Sequence, residues 1–157
     1  MLRWLSERSS RRQEQGRGAD QQASADADRF RVLVEYPSSG TPTVLADVLE
    51  RAGYEPVICE GPGDTGGVCP LVRSGECLLV AEADVIFNGF GLGTAAHREI
   101  VQKLREIYPE TPLVVEATQP RAEENVELLD GCALCRTPLT ASALVEAVDQ
   151  ACAGQDP

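Results

Sequence analysis

The 35 residues from Asp84 to Thr118 have the sequence DVIFNGFGLGTAAHREIVQKLREIYPETPLVVEAT. An apolar run, VIF, leads into a glycine-rich turn, and a second apolar run, LVV, follows a turn that contains two prolines. Between the two runs, apolar residues recur at helical spacing at Ile100, Val101, Leu104 and Ile107. Strand, helix and strand within so short a segment predict a right-handed βαβ crossover that joins two parallel strands.

The remainder of the chain repeats this alternation on both sides of the crossover. The other predicted strands are Phe30–Glu35, Glu55–Cys59 and Cys132–Arg136. We expect longer helices after Thr41 and Thr140, both as N-cap residues, and shorter helices at 77–83 and 119–130. The pattern predicts an α/β fold of flavodoxin-like type, a doubly wound five-stranded parallel sheet in the order 2-1-3-4-5 with helices on both faces.

The domain boundaries follow from composition. Residues 1–29 are rich in Arg, Gln, Ser, Ala and Asp and have no sustained apolar period, so we predict a disordered N-terminal tail. Residues 30–153 are predicted to form one α/β domain, and 154–157 a short C-terminal tail. Residues 60–76 contain two prolines and five glycines, which predicts an inserted loop rich in Cys and Gly.

Charge and hydropathy exclude several classes of partner. The formal net charge is −11, and residues 31–157 hold 8 basic and 20 acidic residues. Such an acidic domain repels phosphate backbones and anionic lipids, so we expect neither a nucleic-acid partner nor a membrane partner. No apolar run reaches the length of a membrane span, and the first residues, MLRWLSER, are too short for a signal sequence. The expected location is the cytoplasm.

Three segments, DVIFNG, IVQKLREIYPETPLVVEAT and CRTPLTASALVEAV, resemble the receiver domain of bacterial response regulators. The resemblance covers about residues 31–151, with an insertion near 60–76. Receivers bind Mg²⁺ through an acidic pair after the first strand, and an Asp that ends the third strand accepts a phosphoryl group. By this resemblance, Glu35 and Tyr36 occupy the positions of the acidic pair. Gly89 occupies that of the acceptor, or Asn88 does if the register shifts by one residue.

The remaining receiver positions are also altered. Thr118 keeps the hydroxyl position, whereas Thr137 stands where the resemblance implies a lysine, and Arg136 is one place early. The only lysine, Lys103, lies in a predicted helix. These residues therefore imply a degenerate receiver pocket that is not phosphorylated in the usual way. Because a buried charge requires a partner, we expect Arg136 to form an ion pair with Glu116 on the adjacent strand and to close the pocket, in preference to a small-ligand or peptide site there.

The cysteines are the other unusual feature of the sequence. Cys59, Cys69 and Cys77 lie at the base, middle and exit of the insert. These residues could be independent thiols, a redox pair formed by Cys69 and Cys77, or part of a Cys₃His zinc site completed by His97. The wide spacing matches no zinc signature, so we expect no metal. Cys132 and Cys135 are three positions apart in a predicted strand, so they face opposite sides and cannot share a disulfide or a metal ion. We therefore expect both to be core residues, and we expect the same of Cys152.

The principal interpretation is a non-enzymatic, receiver-like signalling module that contacts a protein partner and requires no cofactor, with a homodimer as the assembly to test. One alternative is a thiol-based redox or metal sensor that uses Cys59, Cys69 and Cys77. Another is a flavodoxin-like protein that binds a small ligand, which the short first loop, PSSGT, disfavours because it lacks a phosphate-binding nest.

Overall fold

Five parallel strands form one sheet in the order β2-β1-β3-β4-β5. The structure is a computed structural model and describes residues 29–62 and 68–155. Its strands are β1 (Arg31–Glu35), β2 (Glu55–Cys59), β3 (Val85–Asn88), β4 (Leu113–Ala117) and β5 (Ala133–Arg136). The predicted fold class and strand order are therefore confirmed.

The helices in the described part of the chain cover both faces of the sheet. They are α1 (Pro42–Arg51), α2 (Pro70–Ser74), α3 (Leu78–Ala81), α4 (Ala95–Ile107), α5 (Gln119–Glu124), α6 (Val126–Leu129) and α7 (Ala141–Ala153). Alternate residues of each central strand face opposite sides, so two apolar clusters form. The cluster on the α4 side includes Leu33, Ile86 and Leu104. The cluster on the side of α1 and α7 includes Val34 and Phe87.

Helix capping agrees with the prediction at Thr140 and differs at Thr41. The Thr140 hydroxyl accepts a hydrogen bond from the Ala143 backbone N–H at 3.1 Å. Thr41 precedes α1, but its side chain makes no capping bond. Its ψ is 59°, whereas Thr140 is extended with ψ of 156°, so the two backbones direct their hydroxyl groups differently.

Residues 68–76, in the described part of the insert, contain a helix where the sequence predicts a loop. Pro70 begins the helix α2, and Gly75 ends it in the left-handed conformation with φ of 77°. Leu71 is buried in the core on this side, which gives the short helix its anchor. Proline at a helix start and glycine just past its end form a recognisable signature, which the glycine content of the insert obscured.

Other boundaries differ by a few residues. The helix predicted at 119–130 is divided into α5 and α6 at Asn125. Residues 1–28, nearly all of the predicted N-terminal tail, lie outside the described residues, as do 63–67 and 156–157. No helix within 29–62 or 68–155 is long and apolar enough to cross a membrane.

Candidate functional site at the carboxyl edge of the sheet

Polar residues end the central strands and fall into two groups on opposite faces of the sheet. Glu35 aligns with Cys59 on one neighbouring strand and with Asn88 on the other, so these three form a row on the α4 side. Tyr36 and Gly89 each come one residue later in the chain. Because side chains alternate, the next residue faces the side of α1 and α7. The structure therefore separates positions that the sequence placed in a single pocket.

Glu35 and Asn88 form a buried pair in the first group. The Glu35 side chain is 4% exposed and Asn88 is fully buried. The Asn88 Nδ2 atom donates a hydrogen bond to Glu35 Oε2 at 2.6 Å. Burial raises the pKa of Glu35 to about 7, and the hydrogen bond from Asn88 opposes that shift without cancelling it. At neutral pH the carboxyl group is thus poised between its neutral and charged forms.

The aromatic ring of Tyr36 fills the space above Gly89 in the second group. A Cβ atom added at Gly89 would overlap the Cδ2 atom of Tyr36 and lie 3.1 Å from Glu116 Oε2. A Cβ atom added at Gly40 would overlap the other edge of the same ring. The ring therefore lies between two glycines, and both positions need to lack a side chain. Tyr36 occupies the volume that a residue with a side chain at position 89 would need.

Glu116 borders the same ring. Its carboxyl group lies beside the hydroxyl groups of Tyr36 and Thr137, which favour the charged form, but burial dominates and raises the pKa of Glu116. Burial also raises the pKa of Tyr36, with a further contribution from the Glu116 charge. Among the described residues, Glu116 Oε2 has no hydrogen-bond partner. Tyr36, Gly89, Thr118 and Thr137 share a small cavity of about 190 Å³.

The predicted ion pair between Arg136 and Glu116 is wrong. Arg136 is exposed, and its guanidinium group donates a hydrogen bond to Gln119 Oε1 at 2.9 Å. The register explains the difference, because Glu116 aligns with Cys135 and Arg136 aligns with Ala117. Neighbouring positions along a strand face opposite sides, so Arg136 and Glu116 are directed away from each other.

These residues do not fit the Mg²⁺ ion and phosphoryl group that a receiver site holds. Mg²⁺ requires several oxygen ligands in near-octahedral geometry. On the α4 side of the sheet, Glu35 accepts a hydrogen bond from Asn88. On the other side, Tyr36 places an aromatic ring above Gly89. Gly89 has no nucleophilic side chain. The cavity therefore differs from a receiver site in shape as well as in its reactive groups.

The three insert cysteines are brought together on the α4 side. Cys59, Cys69 and Cys77 line a cavity of about 670 Å³, and Glu35 lines it too. All three are half-buried free thiols. Burial raises the pKa of Cys59 to about 11, and the nearby groups Glu35, Cys77 and Cys69 add to the shift. Sequence spacing indicated the three thiols, but it gave no sign that Glu35 would join them.

The zinc alternative that included His97 is not supported. Within 29–62 and 68–155, no three His, Cys, Asp or Glu side chains are arranged to hold a metal ion. The His97 ring stacks on Phe90, with 5.5 Å between the ring centroids. Of the remaining cysteines, Cys135 is buried in the core as predicted. Cys132 and Cys152 are half-buried and pack against the two clusters from opposite sides of the sheet.

Comparison of the whole fold with known proteins defines its class. No family model and no curated sequence matches the chain. Solved structures do match, and one is a response regulator receiver domain protein from Clostridium thermocellum. It has 17% identity and a TM-score of 0.61 over 80% of this chain and 96% of that one. The chain therefore adopts the fold of response regulator receiver domains.

Two further matches show how varied proteins with this fold are. One is a putative pilus assembly protein (CpaE) from Burkholderia thailandensis, with 21% identity and a TM-score of 0.62 over 80% of this chain and 99% of that one. Another is described as a member of a novel family of redox sensors in the streptococci that evolved from two-component response regulators. It has 16% identity and a TM-score of 0.59 over 81% of this chain and 52% of that one. At these identities the similarity concerns the fold alone.

Proposed function

We propose that this chain is a receiver-like signalling domain that acts by contact with a protein partner and is neither an enzyme nor phosphorylated in the usual way. The observation that supports this proposal is the Tyr36 ring above Gly89. A receiver that signals by phosphorylation needs an acceptor carboxylate and free volume around it, and both are replaced here. The proposal includes a location in the cytoplasm and no nucleic-acid or membrane partner, consistent with the acidic composition.

Incubation with acetyl phosphate and Mg²⁺ tests the first part of this proposal. We expect the intact mass to remain unchanged, because Gly89 offers no nucleophile. We also expect the Gly89→Asp variant to remain unmodified, since the Tyr36 ring occupies the space that the new carboxylate would need. A Mg²⁺-dependent gain of one phosphoryl group by the wild-type protein, mapped to residues 84–93, would refute the proposal.

Affinity capture from the native host tests the second part. A partner that recognises the unphosphorylated domain should be retained equally with and without acetyl phosphate. Sedimentation of the purified protein should determine whether a second copy is that partner. Capture that requires the phosphodonor would contradict contact-based signalling.

A thiol-based sensor is the second candidate, and the shared cavity of Cys59, Cys69 and Cys77 favours it. Such a sensor would react with peroxide: two thiols and one hydrogen peroxide molecule yield one disulfide and two water molecules. The raised pKa of Cys59 keeps it a thiol at neutral pH, and thiols attack peroxide poorly. Peroxide oxidation should therefore not begin at Cys59.

Peroxide treatment followed by peptide mapping tests this candidate. The sensor hypothesis expects a Cys69–Cys77 disulfide and a change in partner binding, and it expects both to be lost in the Cys69→Ser variant. Cys152→Ser provides the matched control, because Cys152 packs on the opposite face of the sheet. Identical thiol labelling before and after peroxide would exclude the sensor.

A further inference from the structure

The cavity that holds the thiols has the size and lining of a small-molecule site. Its volume of about 670 Å³ lies within the range of about 300–1,000 Å³ that is common for ligand pockets. It lies between the ends of β1 and β2 and the two short helices. Its apolar walls are formed mainly by Pro62, Pro70, Leu71, Leu78, Leu79 and Val80.

The charged groups that line this cavity are all acidic. Glu35 and Glu76 are the charged residues among those that line it, and the described lining includes no Lys, Arg or His. Glu35 is nine-tenths buried or more, and it is held in place by the hydrogen bond from Asn88 to its Oε2 atom. Asn88 donates a hydrogen bond to only one of the two carboxyl oxygens, so Glu35 can accept a further hydrogen bond from a ligand.

We propose that this cavity binds a small, mostly apolar molecule that carries one ammonium group, and that the ammonium group pairs with Glu35. A buried carboxylate without a cation is costly, and a bound ammonium group would compensate that cost through a charge-assisted hydrogen bond. The apolar walls would cover the rest of the molecule. Anionic ligands are excluded by the acidic lining and by the net charge of −11. This site is separate from the Tyr36 cavity, and it goes beyond both proposed functions.

Three naphthalene compounds of nearly the same shape test the proposal by calorimetry. They are 1-naphthylmethylamine, 1-naphthalenemethanol and 1-naphthoic acid, which carry a cationic, a neutral and an anionic head group. We expect the amine to bind at least about tenfold more tightly than the alcohol, the factor typical of a hydrogen bond to a charged group. We expect the acid not to bind. Equal binding of amine and alcohol, stronger binding of the acid, or binding of none of the three would overturn the proposal.

The Glu35→Gln variant tests the pairing itself. It should reduce the amine-to-alcohol affinity ratio to about one. A damaged fold would weaken both compounds, so the ratio reports the head group alone. An amine-to-alcohol affinity ratio that is unchanged in this variant would contradict the proposed role of Glu35.

A matched pair of surface variants tests the location. Leu78 lines the cavity and is 80% exposed, whereas Val126 is 65% exposed and lies outside the cavity. The Leu78→Ser variant should weaken amine binding by about fourfold for each methylene group that the ligand covers, and Val126→Ser should not. Bound amine should also slow maleimide labelling of Cys69 and Cys77 and leave Cys152 unaffected. The ligand would bind elsewhere if Val126→Ser weakened binding and Leu78→Ser did not. The same conclusion would follow if bound amine slowed the labelling of Cys152 and not that of Cys69 and Cys77.

Discussion

Replacing Glu35 with glutamine should change how the stability of the protein depends on pH, because burial raises the pKa of this carboxyl group to about 7. In the unfolded chain the group is solvated, and its pKa returns to about 4.5. Between these two values the folded state binds a proton that the unfolded state has released. The free energy of unfolding therefore decreases as the pH rises from about 4.5 to 7.

The size of this effect follows from the two pKa values. At about 1.36 kcal/mol for each pKa unit, the difference amounts to about 3 kcal/mol. Glutamine has nearly the same shape, can accept the hydrogen bond from Asn88 and does not ionise. The Glu35→Gln variant should thus match the wild-type stability near pH 4.5 and exceed it by about 3 kcal/mol at pH 8.

Urea unfolding followed by circular dichroism at several pH values between 4.5 and 8 measures the difference directly. Glu50→Gln is the control, because Glu50 lies on the exposed surface of α1 and its replacement should change the stability little. The reasoning fails if the stability gained by Glu35→Gln is the same at every pH, since burial of a titrating carboxyl group would then not be its cause.

Two further predictions concern positions where the structure departs from the sequence pattern. The Gly89→Ala substitution should cost about 1–3 kcal/mol in unfolding free energy, because its methyl group would overlap the Tyr36 ring; equal costs in wild-type and Tyr36→Ala backgrounds would contradict this. Thr140→Ala should cost about 1 kcal/mol through loss of an N-cap hydrogen bond, whereas Thr41→Ala should cost clearly less because no such bond exists; thermal unfolding that ranks the two the other way would be contrary evidence.

Strand order and helix placement could be predicted because they rest on local, periodic signals. The apolar runs around Phe87 and Val114 form the central strands, and Thr140 caps the last helix as expected. The two faces of the sheet were harder to assign. A shift of one residue along a strand reverses the side that a residue faces. The sequence therefore predicts a pair between Arg136 and Glu116 that the register between β4 and β5 does not allow.

The cavity on the α4 side could not be predicted, because it depends on how much of a strand a helix covers. A helix rises about 1.5 Å per residue, so α2 and α3, with five and four residues, are about 8 Å and 6 Å long. The strand beside them, β2, also has five residues, but a strand rises about 3.3 Å per residue and β2 spans about 16 Å. Neither helix can cover β2 alone, and the left-handed turn at Gly75 prevents the two from forming one continuous helix.

The same break explains why Glu35 and the thiols are neighbours. All five residues of β2 are only half-buried, because β2 is an edge strand of the sheet. On the α4 side, the short helices α2 and α3 leave Cys59 in the wall of the cavity. Glu35 lies at the cavity wall, buried by its own strand and by Asn88 and still within reach of a small molecule. Glu35 and the described part of the insert therefore border one cavity, which lies on the opposite face of the sheet from Tyr36 and Gly89.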